Sequence, residues 1–152
     1  MSETSAPAQT FLGFESGADR WLVDLADAGE VLPVSALSEV PLTRPWFLGI
    51  ANIRGTLYGV TDLAAFHGAE PTPIRPETRL LLAGARFGSN SALLVSRTQG
   101  LKPLATLETI EGAVVKAQPW RGAQYRDAEG RTWTRLQMAE LLGAAQFLDV
   151  AL

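Results

Sequence analysis

The chain has 152 residues, 47% of them hydrophobic, and its 13 Lys and Arg against 16 Asp and Glu give a formal net charge of −3. That suits one globular domain whose core needs no disulfide or metal staple. The absence of cysteine and the single histidine, His67, exclude disulfide frameworks, thiolate nucleophiles and multi-histidine metal sites and fit a reducing compartment, while an isoelectric point of about 5.1 excludes the basic footprint that nucleic acid requires.

The opening MSETSAPAQT has neither a basic n-region nor an apolar h-region, so residues 1–10 read as a mobile tail rather than a signal. No stretch approaches the roughly 20 apolar residues that cross a bilayer. Phe11–Phe14 and Arg20–Leu25 predict two strands around a turn that contains Gly17, and Glu30–Val34 predicts a strand with Pro33 at its edge or end. Pro45 predicts the first residue of a single helical turn that Gly49 stops. Thr56–Thr61 reads as a strand, followed by Asp62 capping a short helix over Leu63–Phe66 that Gly68 ends.

Three prolines in Pro71–Pro76 predict a stiff connector, over about 70–77, between two β halves of a domain spanning 11–152. Beyond it, Arg79–Phe87 and Ala92–Ser96 flank a Gly88-Ser89-Asn90 turn as a hairpin, and Leu101–Leu107 with Gly112–Ala117 are expected to extend that sheet. An Asp127-to-Gly130 turn separates two aromatic-flanked strands, and Arg135–Gly143 predicts the closing helix. Many short strands with few helices indicate a mainly β sandwich or pair of barrels.

The acidic residues Asp24, Asp27 and Glu30 are expected to form a solvated strand edge rather than an acid–base pair. His67 with Asp62 is the one pairing from which a metal-binding or enzymatic module could be built, but a histidine beside a helix-ending glycine more often complements the helix dipole. Gly84–Gly88 lacks the Lys-Ser/Thr of a phosphate loop. Four tryptophans, Trp21, Trp46, Trp120 and Trp133, point mostly to core, with Trp46 a candidate anchor for a partner.

The segment Pro45 to Gly68, PWFLGIANIRGTLYGVTDLAAFHG, resembles the CheW family of adaptors that couple chemoreceptors to a histidine kinase. The resemblance lies in Gly49-Ile50-Ala51-Asn52-Ile53-Arg54-Gly55, Val60-Thr61-Asp62-Leu63 and Phe66-His67-Gly68, with Val23-Asp24-Leu25 and Gly29-Glu30-Val31 upstream, and it spans about Phe11 to Gly143. Within the family, the Thr43-Arg44-Pro45-Trp46 lead-in and the hairpin from Tyr125 to Trp133 are most similar to the PilI-type adaptors of the type IV pilus (twitching motility) system. Ser96-Arg97-Thr98 departs from the usual Val-Asp-x-Val of the second half, which allows diverged contacts there.

The resemblance implies two intertwined five-stranded SH3-like β-barrels and a non-catalytic adaptor without cofactor. Its implied partners are the CheW-like regulatory domain of a CheA-type kinase and the cytoplasmic tip of a membrane chemoreceptor, which would recruit a cytoplasmic protein to receptor arrays. It further implies a receptor groove containing Arg54, Glu30, Ala28, Asn52 and Leu101, with Arg54 lying near Glu30, and kinase contacts at Gly49 and Phe47. The alternatives are a flagellar chemotaxis adaptor of the same fold and a small β-barrel ligand-binding or enzymatic module using His67 and Asp62.

Overall fold

A computed structural model describes residues 9–111 and 118–152. Strands β1 (Thr10–Ser16) and β2 (Asp19–Asp24) form the first hairpin, with Gly17 at φ +61 in its turn. They join β9 (Arg97–Pro103), β10 (Glu108–Ile110), β11 (Arg121–Arg126) and β12 (Thr132–Leu136) in a sheet of order β10-β11-β12-β2-β1-β9. A second sheet, of order β3-β7-β8-β6-β5-β4, takes β3 (Ala28–Pro33), β4 (Leu37–Ser38), β5 (Phe47–Ile53), β6 (Thr56–Asp62), β7 (Arg79–Ala83) and β8 (Ser91–Val95). Each sheet counts six strands rather than five because the short β4 and β10 add to their edges. Three short helices complete the described residues: α1 (Leu63–Phe66), α2 (Met138–Gly143) and α3 (Ala145–Leu148).

The two sheets repeat one plan. Strands β9, β10, β11, β12, β2 and β1 occupy the order that β3, β4, β5, β6, β8 and β7 occupy in the second sheet, including the parallel pairs β12 with β2 and β6 with β8. The repeat reaches single bonds. The Trp46 carbonyl accepts the Asp62 N–H at 2.8 Å, and the Trp120 carbonyl accepts the Gln137 N–H at 2.8 Å, each just before a helix begins. Both tryptophans follow a proline, Pro45 and Pro119, whose fixed φ suits the turn that feeds the next strand.

Three apolar clusters fill this frame. Phe11, Leu22, Tyr125 and Trp133 pack within the first sheet, and Leu80, Leu82, Ala92 and Leu94 within the second. Their strand neighbours Leu12, Trp21, Val23, Leu81, Leu93 and Val95 point the other way into a larger shared layer, closed by Leu63, Leu136, Met138, Leu141 and Phe147. Successive side chains of a strand face opposite sides, so β1, β2, β7 and β8 are buried on both. Their near-continuous apolar sequence follows from that.

Several expectations change. Pro45-Trp46 forms a turn rather than starting a helix, and Phe47–Ile53 is a strand because it completes a ladder with β6. Arg135 and Leu136 stay in β12, paired with Leu22 and Arg121, so the closing helix begins only at Met138. Ala85–Phe87 is a 3-10 turn beyond β7. Leu101–Pro103 joins β1 in the first sheet rather than extending the β7–β8 sheet, and Leu104–Thr106 is a second 3-10 turn. The proline run 71–76 lies between β6 and β7, both strands of the second sheet. Residues 1–8 of the expected tail and the expected strand 112–117 lie outside the described residues.

The shared layer should carry the greatest mutational cost. Leu81→Ala, at a fully buried position, is expected to lower unfolding free energy by about 3 kcal/mol. Leu57→Ala, 58% exposed on β6, is expected to change it by less than about 0.5 kcal/mol; urea denaturation of both variants compares them.

Candidate functional site

The β5–β6 hairpin pairs Ile53 with Thr56, leaving Arg54-Gly55 as a two-residue loop. Both loop residues have positive φ, +53 at Arg54 and +86 at Gly55, as the tight turns that match strand twist require. Asn52 braces the loop, its Oδ1 accepting the Gly55 N–H at 2.9 Å. An arginine at a position that favours glycine or asparagine costs backbone strain.

The strained residue carries a structured side chain. Arg54 Nη1 donates to Glu30 Oε1 at 2.5 Å and Nη2 to Oε2 at 2.8 Å, a two-pronged pair between the hairpin tip and β3. The fork matches the planar carboxylate. These bonds hold the Glu30 carboxyl below the usual carboxylate range and raise Arg54 above its ordinary value. Both side chains remain at least half exposed, 69% for Arg54 and 50% for Glu30, so the pair presents a flat, oriented cation at the surface.

Arg54 thus lies against Glu30 as expected, with Asn52 in the same turn. Ala28 sits two residues before Glu30 on β3, paired with Ala83 and packed against the shared layer. Leu101 stands on the other sheet, on edge strand β9, and is 59% exposed. Gly49 lies at φ +127, and a Cβ there would stand 2.2 Å from the Ser38 carbonyl oxygen, so the close approach of β4 forbids any side chain. Phe47, on the same strand, is half-buried and covers Gly59.

The acidic trio does not share a cleft. Asp24 accepts from Gln9 at 2.6 Å and from the Ala26 N–H, Asp27 pairs with Arg86 at 2.6 Å, and Glu30 is held by Arg54. Asp62 is similarly committed. It caps α1 through the Ala65 N–H and accepts both the N–H and the hydroxyl of Thr72 at 2.7 Å.

His67 does not serve as a charged partner for the helix dipole. Its Nε2 accepts the Trp120 indole N–H at 3.0 Å, which places its own proton on Nδ1, and its ring packs against Trp21 and Phe66. Burial pushes the imidazole down to about 4, with Arg121 adding to the shift and Asp19 opposing it. Trp21, Trp120 and Trp133 are all buried. Trp46 is half-buried, with its ring against Phe66 and Phe147. Trp133 also donates its indole N–H to Asp127. Burial pushes that carboxyl up, but the Trp133 bond together with bonds from Arg131 and the Glu129 N–H outweighs it and holds Asp127 below the usual range. Among the described residues no group of His, Asp and Glu could hold a metal ion.

Two feature sets escaped the sequence reading. One is the His67–Trp120 bond, which joins residues far apart in the chain. The other is the clasp between Arg44 and Asp149. The recurrent Pro-Trp pair was the available signal for the repeat that aligns Trp46 with Trp120.

Two sheets of one plan on a shared core, with three short helices at their ends, define a mainly β domain of the paired-barrel class. The comparisons with known proteins agree. The sequence model of the CheW-like domain matches residues 10–146, and the chain belongs to that family. It is 30% identical to Protein PilI of Pseudomonas aeruginosa over 122 residues, covering 72% of this chain and 68% of that protein. Its fold is similar to the crystal structure of scaffolding protein TtCheW from Thermoanaerobacter tengcongensis. The TM-score is 0.74 at 16% identity, over 91% of this chain and 95% of that one.

His67 makes stability pH-dependent. Its folded pKa lies below the ordinary value of 6.5, so the unfolded chain takes up a proton first as pH falls, and the contribution present above about 6.5 is lost toward pH 4. In His67→Gln, which keeps an acceptor for Trp120 but does not titrate, urea unfolding between pH 6.5 and 4 should show a flatter decline than in the unaltered protein.

Proposed function

We propose that this protein is a non-catalytic signal-transduction adaptor that couples the cytoplasmic tip of a membrane chemoreceptor to a CheA-type histidine kinase, in the pathway that controls type IV pilus twitching motility. The observation that carries the reading is the Arg54–Glu30 fork on a strained turn. Strain of this kind persists where the surroundings over-determine it, and it concentrates at functional positions. Glu30 accepts through both oxygens from one side, and the exposed face and remaining N–H groups of Arg54 stay available to a receptor helix.

Ala28 and Leu101 supply the apolar walls that a helical hairpin needs in a groove. Gly49 and Phe47, on β5 beside the edge strand β4 of the second sheet, contact the kinase's CheW-like regulatory domain. Coupling then acts through differential contacts: a receptor state that alters the adaptor's contacts shifts the kinase population by the same free energy. The pilus assignment draws on the 30% identity to Protein PilI and on the Thr43–Trp46 lead-in. The adaptor works in the cytoplasm and reaches receptor arrays through its partners. Among the described residues no helix is long and apolar enough to cross a membrane.

Arg54→Asp is expected to abolish co-sedimentation with membranes bearing the receptor while circular dichroism stays unchanged. Arg54→Gly suits the positive φ and removes the fork, so it should lose co-sedimentation without lowering the thermal midpoint. Co-sedimentation undiminished in both would remove Arg54 from the receptor site. Pull-downs against pilus-type and flagellar-type kinases decide the pathway, and capture by the flagellar type alone would reassign it.

A further inference from the structure

A second strained residue lies on the approach to β5. Val40 to Thr43 forms a turn with Pro41 at its second position and Leu42, at φ +59, at its third. Turns with a proline second and a positive φ third normally place glycine or asparagine there. Leu42 is instead a large apolar residue, and at 79% exposure it is the most exposed one among the described residues.

The strained backbone is held from outside. The Leu42 carbonyl accepts the Leu152 N–H at 3.0 Å, and the Arg44 N–H donates to the Val150 carbonyl at 2.7 Å, making a short antiparallel bridge between Thr43 and Ala151. Arg44 reinforces it with Nε on the Asp149 carbonyl and Nη2 on the Asp149 carboxylate, both at 2.8 Å. Phe147 stacks on Trp46 at the other end of the contact. The Thr43 hydroxyl closes the turn on the Val40 carbonyl at 2.9 Å.

Nothing in this arrangement buries the Leu42 side chain. The bonds fix its backbone and leave the side chain at the rim of a groove of about 320 Å³, lined by Glu39, Val40, Arg44, Phe47 and Leu48. The groove continues into Phe47, and the Phe47 N–H is tied to the Arg44 carbonyl at 2.9 Å. Strain and apolar exposure both cost free energy in the free protein, and burial of the leucine in a partner offsets both at once.

We propose that Leu42 is an anchor residue for the kinase's CheW-like regulatory domain, and that the 149–152 segment is a clasp that presets it. The inference rests on the adaptor reading above and extends its kinase surface from Gly49 and Phe47 to the β4–β5 connection. Presetting the anchor lowers the ordering cost of association. Arg44 and Asp149 act as positioning residues, because their bonds fix the backbone on either side of the Leu42 turn.

The test measures affinity of the full chain for the isolated regulatory domain of a CheA-type kinase, together with amide hydrogen exchange. Leu42→Gly relieves the strain and deletes the anchor, so the thermal midpoint should hold or rise while affinity falls by about tenfold or more. Leu42→Asn, which tolerates the same φ, should repeat the loss. Arg44→Glu and Asp149→Arg should each weaken binding and speed exchange at the Arg44 and Leu152 amides. The double variant, with the charges swapped, should restore both. Unchanged affinity in Leu42→Gly and Leu42→Asn overturns the anchor, and a double variant no better than either single overturns the clasp. Failure of the unaltered chain to bind overturns the adaptor reading itself and this inference with it.

Discussion

Four strands, β1, β2, β7 and β8, are buried on both faces, and the architecture follows from that. A strand with one apolar face can end a sheet against solvent, whereas these strands need a cover on each side. The inner faces are covered by the curl of each strand's own sheet, and the outer faces cover each other in the layer around Trp21, Leu81 and Leu93. The chain must therefore weave between the sheets, passing from β2 to β3 and back from β8 to β9. Each sheet keeps an apolar cluster of its own, and the layer between them takes residues from both.

A frame so committed to burial leaves turns, edge strands and chain crossings to carry recognition. Among the described residues the two non-glycine residues at positive φ, Leu42 and Arg54, flank β5, one before it and one in the hairpin turn that follows it. Each is exposed, and each is held by contacts outside its own turn: Leu42 by the 149–152 segment, Arg54 by Glu30 on β3. A rigid interior transmits small displacements rather than absorbing them, so a strand fixed at both ends suits a protein that links one partner to another. Gly49, whose missing side chain lets the Ser38 backbone of β4 approach closely, lies on β5 between those two points.

The sequence was most legible where a pattern is local. The hairpins around Gly17 and Asp127, the Asp62 cap and the apolar runs Leu80–Ala83 and Ala92–Val95 follow from turn chemistry and strand periodicity alone. It was least legible where a segment suits two states. Pro45 has a fixed φ that fits a helix start or a turn equally, and only pairing with β6 makes Phe47–Ile53 a strand. Arg135 and Leu136 are good helix formers held extended because β12 completes a parallel pair with β2.

By itself the sequence determined the class of protein: a cysteine-free β domain with an Asn52-Ile53-Arg54-Gly55 turn and a family resemblance that places Arg54 beside Glu30. Those properties reside in composition, in period-two patterning and in residues whose turn chemistry is set by near neighbours. The tertiary structure alone decided which sheet each strand joined, that His67 is a neutral acceptor for Trp120, and that the segment from Asp149 to Leu152 grips the turn at Leu42. Each of these depends on partners many residues apart, and their selection comes from filling the shared layer rather than from any local preference.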